Sequence, residues 1–219
     1  MYSFLRFLAS PLKWYYNWKL VNYKKIDGGV VYAFNHCDGS DGLMAIIAIP
    51  RKLHFLAKAE MFENPLAGWF LRTVVQQVPI ERMRGKSAPA VAEMIEYCSK
   101  GEAIGIFPEG MTYQAPALRE FHRGVARVAL AGDWPIIPCA IIGSFGMMPH
   151  DSGPYGTHVP LQMNPPRRKK VQIIFGEPMR FPQYKGKNND MKITKIVANK
   201  VKEEIRNLLI ENNAPLEYL

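Results

Sequence analysis

The residues best equipped for chemistry in this chain stand in one run, Asn35-His36-Cys37-Asp38-Gly39-Ser40-Asp41, directly after the apolar stretch VVYAF at 30–34. With a helix starting inside that run, the imidazole of His36 and the carboxylate of Asp41 can reach the same side of its first turn. There Asp41 would keep one ring nitrogen protonated and leave the other free to take a proton, the division of labour in the His–Asp part of a serine-protease triad. A protein nucleophile is missing. Cys37 and Ser40 are close in sequence, but neighbouring side chains diverge from His36, so an external hydroxyl is the better candidate. A single His-x4-Asp spacing is also common in purely structural turns.

Two further segments end on groups that could hold a ligand. In Phe107-Pro108-Glu109-Gly110-Met111-Thr112, Pro108 stops a strand ladder and Gly110 lets the backbone approach closely. Val78-Pro79-Ile80-Glu81-Arg82 puts a guanidinium just past another strand end, suited to a bidentate grip on phosphate. Taken singly, the first is a turn and the second a surface ion pair between Arg82 and Glu81.

The elements that must position these groups alternate. Apolar strands are expected at 30–34, 54–58, 76–80, 103–107, 135–142 and 171–176, and helices near 40–48, 60–74, 87–100, 122–132 and 190–212. Ser87 is placed to cap one helix and Gly101 to end it. Such alternation, with nearly continuous apolar strands, predicts an α/β fold: a central mixed, mostly parallel sheet flanked by helices. Site residues then fall at strand ends, where open α/β sheets place ligands.

Residues 2–25 carry eight aromatics, five basic residues and no acid, a composition of helices that lie in a lipid interface. Two short helices meeting at Ser10-Pro11 are expected there, and Phe4, Leu5, Leu8, Leu12 and Tyr15 could share one face. The division is therefore an N-terminal amphipathic membrane-binding segment, 1–25, and a single catalytic domain, 26–219. The Gly-, Pro- and Met-rich stretch 143–170 reads as a long loop of unassigned role.

The chain has 219 residues, with 28 Lys and Arg against 19 Asp and Glu, a net charge of +9. That balance suits an anionic partner. A nucleic-acid binder is disfavoured because the aromatics gather at the N-terminus instead of interleaving with basic residues, and Arg167-Arg168-Lys169-Lys170 reads as a solvated loop. A metal hydrolase on His36, Asp38 and Asp41 lacks supporting histidine spacing among His54, His122, His150 and His158. Cys37, Cys98 and Cys139 show no CxxC spacing, so neither a disulfide framework nor a zinc cluster is indicated, and a reducing cytoplasm is the expected compartment. Membrane contact would be peripheral, on the cytoplasmic face, because no apolar run reaches spanning length.

Four segments in order resemble the glycerolipid acyltransferase family that includes 1-acylglycerol-3-phosphate acyltransferases. NHCDGSD is similar to its Asn-His-x4-Asp block, VPIER to its arginine block, FPEGMT to its Phe-Pro-Glu-Gly-Thr block, and WPIIPCAI to its proline-containing strand. FHRGVARVAL resembles the family's Phe-Lys-x-Gly helix. The resemblance implies acyl transfer without an acyl-enzyme: His36 as general base on a lysophospholipid hydroxyl, Asp41 orienting it, and acyl-CoA or acyl carrier protein as co-substrate, with no metal and no other cofactor. It further implies that Glu109 and Gly110 shape the acceptor site and that Arg82 and Lys58 bind its phosphate. Three departures stand out. Met111-Thr112 replaces Thr-Arg, so a phosphate-binding arginine is missing. His122 replaces the lysine, with Arg123 next to it as compensation, and Gln76 stands where a glycine often opens the arginine block. A retained base and orienting acid argue against a non-catalytic lipid-binding protein.

Overall fold

The computed structural model describes residue 11 and residues 17–81, 87–111, 116–145 and 170–219. Seven strands form one sheet: β1 (Lys19–Val21), β2 (Val30–Phe34), β3 (Leu53–Lys58), β4 (Val78–Ile80), β5 (Ala103–Ile106), β6 (Ile136–Ile142) and β7 (Gln172–Phe175). Their spatial order is β1-β7-β6-β2-β5-β3-β4. Every pairing is parallel except β6 with β7, so the expected mixed, mostly parallel sheet is found.

The strand patterns follow from burial on both faces. All five residues of β2 are buried, with Val31 and Ala33 in one apolar cluster and Val30, Tyr32 and Phe34 in the other. The first cluster is closed by α3 (Ala88–Ser99), α4 (Gly124–Gly132) and α5 (Met191–Glu211). The second is closed by α1 (Asp41–Ala48). α2 (Pro65–Trp69) belongs to the connection from β3 to β4 and runs on as a π-helical turn, Phe70–Val74. Among the described residues no helix is long and apolar enough to cross a membrane.

Two local expectations change. Ser87 precedes α3, but its side chain makes no capping bond. Pro89 removes one of its two usual donors, and Ser87 has helical φ −82° and ψ −8° instead of the extended backbone a capping side chain needs to reach the other. Gly101 does end the helix: at φ +79°, its N–H bonds to Cys98 O at 3.0 Å while Glu102 N–H bonds to Tyr97 O at 3.0 Å, a Schellman closure.

The larger change is at the N-terminal boundary. The helical segment expected over 1–25 does not extend to its end, because Lys19–Val21 is a strand paired in parallel with Gln172–Ile174 of β7. Val21 packs on one apolar cluster and Leu20 on the other, so the segment belongs to the sheet. β7 otherwise would present an open edge, and pairing it satisfies its backbone groups. The predicted helices over residues 2–16 lie, apart from Pro11, outside the described residues, as do Arg82, Thr112 and residues 146–169.

β2 is the switch point of the sheet. The chain leaves β5 on one side of it and re-enters as β6 on the other, so the connections diverge at its carboxyl end, the place where open α/β sheets bind ligands. His36 follows β2, Glu109 follows β5 and Ser144 follows β6 at that end of the sheet.

Candidate active site

The loop between β2 and α1 is held by hydrogen bonds at both ends. Asn35, 1% exposed, accepts from Ile141 N–H at 2.6 Å and donates to Ile141 O at 3.0 Å, locking the loop to β6. Asp38 accepts from the N–H and hydroxyl of Ser40 at 2.9 and 2.6 Å, which tightens the turn leading into the helix. Asp41 is the first residue of α1, where a carboxylate also meets the positive end of the helix.

Asp41 is fully buried and its Oδ2 is the hub of the loop. It accepts from His36 Nδ1 at 3.1 Å, Cys37 N–H at 2.8 Å and Asp38 N–H at 2.9 Å. Since a carboxylate only accepts, His36 carries its proton on Nδ1 and presents Nε2 with a free lone pair. The His36 side chain is 15% exposed, so the ring is held yet reachable. Its other support is aromatic: it stacks on Phe107 at 4.0 Å between centroids, and Phe107 stacks on Phe55 at 5.2 Å.

That stack needs Gly105. A Cβ there would come within 2.3 Å of Phe55 Cζ, and Phe55 is also packed against Phe34. Gly105→Ala should therefore push Phe55 into Phe107 and disturb the ring beneath His36. We expect a loss of about 1–3 kcal/mol of stability, as for other overpacked cores, accompanied by a lower kcat. Thermal unfolding and single-turnover kinetics check it; a variant equal to the parent in both would show that the stack is dispensable.

Glu109, expected to help shape the acceptor site, follows β5 at the same end of the sheet as His36. It is 2% exposed, and its two oxygens accept from backbone N–H groups, Oε1 from His36 at 2.9 Å and Oε2 from Arg119 at 3.1 Å. It thus pins the backbone of the base to the segment before α4. Burial pushes its carboxyl up from the usual 4.5 to about 7, against the lowering effect of those two N–H groups. The sign of the linkage follows. Between about pH 4.5 and pH 7 the unfolded chain releases this proton while the folded one keeps it, so stability falls as pH rises, by roughly 3 kcal/mol across the window. Glu109→Gln, which cannot ionise, should flatten that slope in melting curves from about pH 5 to about pH 8. Parallel curves for the two proteins would overturn the assignment.

The other predicted residues divide. Gly110, at φ +77°, sits against the ring of His122, where a Cβ would approach Cδ2 to 3.0 Å, and His122 N–H bonds to Pro108 O at 2.8 Å. His122 is exposed at this turn, in the position of the family's lysine. Arg123, expected to compensate for that lysine, has one guanidinium nitrogen 3.4 Å from Thr194 Oγ1 of α5. The residue lies at the start of α4, which packs on α5, so its side chain is drawn across that helix pair. Lys58 ends β3 at the same carboxyl edge, in register with Ile80 of β4, the strand that leads to Arg82.

Some positions at the site went unassigned from sequence. Asn35 stands beside His36 in its block, and that adjacency was the available signal. Arg119 and Ser144 carry no local signature, because their relation to the loop is purely spatial. Cys37 is 3.6 Å from Ser144 Oγ, and burial raises its thiol pKa well above the usual value, so it is a packed thiol and not a nucleophile. Gln76, in place of the glycine, has φ +51°, the left-handed region in which glycine is easiest. Its carbonyl accepts from His54 Nδ1 at 2.8 Å, and the other nitrogen of that buried histidine meets Glu102. His54 therefore serves the structure at the opposite end of β3.

Comparisons with known proteins bear on the family and the fold. Residues 18–142 match the family model described as Acyltransferase. The chain is 27% identical over 182 residues to the 1-acyl-sn-glycerol-3-phosphate acyltransferase of Bacillus subtilis, covering 81% of each. It is 32% identical over 112 residues to the lyso-ornithine lipid O-acyltransferase of Pseudomonas aeruginosa, which spans 51% of this chain and 42% of that protein. Its fold superposes with a TM-score of 0.63 on the crystal structure of the 1-acyl-sn-glycerophosphate acyltransferase of Thermotoga maritima, at 18% identity, covering 94% of this chain and 79% of that one.

Proposed function

The chain belongs to the acyltransferase family, and from that premise we propose that it moves a fatty acyl group from a thioester to the free hydroxyl of 1-acylglycerol-3-phosphate, in phospholipid synthesis. The observation that carries the reading is the His36–Asp41 pair, with Nδ1 held at 3.1 Å and Nε2 left as a base, beside no usable nucleophile among the described residues. The acceptor hydroxyl gives its proton to Nε2 as its oxygen attacks the thioester carbonyl. The tetrahedral intermediate then collapses, the C–S bond breaks, and the leaving thiolate takes the proton back from the imidazolium. Asp41 steadies the imidazolium between the two steps. Acyl-CoA or acyl carrier protein supplies the thioester, and the work is done at the cytoplasmic face of a membrane on which the protein rests peripherally.

Lys58 and Arg82 are the groups we assign to the acceptor's phosphate. Glu109 acts through the backbone of His36 and Gly110 through the turn it opens. One observation favours a second acceptor. No arginine follows Glu109-Gly110, where Met111 is instead 37% exposed, and the relative from Pseudomonas aeruginosa is named for a lysolipid that carries an amino acid.

Thiol release from long-chain acyl-CoA and from acyl carrier protein, measured with lysophosphatidic acid and with lyso-ornithine lipid in liposomes, tests both readings. Release that depends on lysophosphatidic acid supports the first, release only with lyso-ornithine lipid the second. Silence with every acceptor would overturn acyl transfer to lysolipids.

A further inference from the structure

Six of the nine large apolar side chains that are exposed among the described residues stand on connections that leave the carboxyl ends of β2, β3 and β5, the ends beside which His36 lies. The densest group is on the helical connection between β3 and β4. Leu66, Trp69 and Phe70 are 76%, 57% and 38% exposed. Their spacing of i, i+3 and i+4 puts them on one helical face.

That face is rigidly presented. Asn64 caps the helix, accepting from Leu66 N–H at 3.1 Å and Ala67 N–H at 3.0 Å. Gly68, on the opposite face, is buried so close to Phe62 that a Cβ would lie 2.4 Å from its carbonyl oxygen. The π-helical turn closes the other end, with Val75 N–H on Phe70 O at 3.2 Å. A helix whose inner face is locked by a glycine contact therefore turns its bulky apolar residues outward.

Resting on the lipid-acceptor reading above, we propose that this helix is a membrane-contacting element: Leu66, Trp69 and Phe70 enter the interface of an anionic bilayer and direct the His36 end of the sheet toward it. Leucine, tryptophan and phenylalanine are the residues that lodge at the boundary of headgroups and acyl chains. From Pro65 to Gln77 the sequence holds one charge, Arg72, whose guanidinium lies over the Phe62 ring at 4.8 Å, at the edge of the helix, where it meets headgroup phosphates. Glu60 and Glu63 precede the helix, and the chain as a whole carries +9. Three side chains are too few for a stable protein partner, which takes about 800 Å² from each side. They suffice to wedge into lipid, where a modest apolar insertion adds to electrostatic attraction.

The test compares the full chain with a Leu66→Ser/Trp69→Ser/Phe70→Ser variant on vesicles of phosphatidylcholine and phosphatidylglycerol in equal amounts. Partition should fall by about tenfold or more, since even partial burial of three such side chains exceeds the 1.4 kcal/mol that a factor of ten represents. Acyl transfer to a short-chain acceptor dispersed as monomers should be unchanged, which shows that the variant is folded. Vesicles with brominated acyl chains should quench a component of the fluorescence that disappears in Trp69→Phe. Partition within about twofold of the parent, with soluble activity intact, would overturn the proposal. So would a change of oligomeric state in the variant, which would make the face a contact between copies. If neither protein acylates the monomeric acceptor, the acyl-transfer reading fails, and partition and quenching still decide the surface.

Discussion

His36→Ala should reduce acceptor-dependent thiol release by about 10²–10⁴-fold, the usual worth of a positioned general base, while leaving the fold in place. The ring is the group that meets the acceptor hydroxyl, and no described side chain stands ready to replace it. Cys37 is turned toward Ser144 with its thiol held protonated by burial, and the carboxylate of Asp41 is fully buried beneath the imidazole. The structural loss is small by comparison. The His36 side chain contributes one hydrogen bond, to Asp41, and one stacking contact, with Phe107. The measurement is kcat for single-acceptor turnover together with a melting curve. A variant within about threefold of the parent would place the base elsewhere and leave the His36–Asp41 contact as a loop brace.

Asp41→Asn is the second large effect, and its origin differs from the serine-protease precedent, where the amide substitution imposes the wrong histidine tautomer and costs about 10⁴. Here Oδ2 accepts from three N–H groups, two of them in the backbone of Cys37 and Asp38. Those two donors orient the amide oxygen toward His36, so the Nδ1-protonated tautomer survives. What is lost is the negative charge that stabilises the imidazolium, and the expected fall in kcat is about 10²–10³. The amide nitrogen then occupies the place of Oδ1, a buried atom without a hydrogen-bond partner among the described residues. An unsatisfied NH₂ there should lower stability by about 1–3 kcal/mol. A loss of kcat as large as 10⁴, with unchanged stability, would mean that the amide is flipped and the backbone donors do not control it.

The alternation of apolar runs and amphipathic stretches located β2 to β7 and the helices between them, because burial on two faces writes itself into each segment separately. His36 and Asp41 were legible for a related reason. They lie within one loop, and a strand end followed by a helix start determines how their side chains meet.

Elsewhere the local pattern and the tertiary context disagreed. Lys19–Val21 carries an aromatic and basic neighbourhood typical of an interfacial helix, yet it pairs with β7, since an open sheet edge makes demands that no composition reveals. Glu109 read as a ligand-binding residue next to a glycine turn. Only the packed fold shows its oxygens accepting from the N–H groups of Arg119 and of His36, 73 residues before it. Arg123 read as a substitute for a phosphate-binding lysine, and only helix packing shows its guanidinium within 3.4 Å of Thr194 Oγ1 while His122 stands on the turn.

What the amino-acid sequence by itself determined is the fold class, the order of the elements and the chemically competent pair, all of which depend on spacings within a strand, a helix or one loop. Tertiary structure alone decided how that pair is supported: Asn35 anchored to Ile141, Glu109 fastened to the backbone of His36, and the Gly105–Phe55–Phe107 stack under the imidazole. Those contacts join segments separated by tens of residues, and their geometry exists only once parallel strands, connected by crossovers, bring their carboxyl ends side by side.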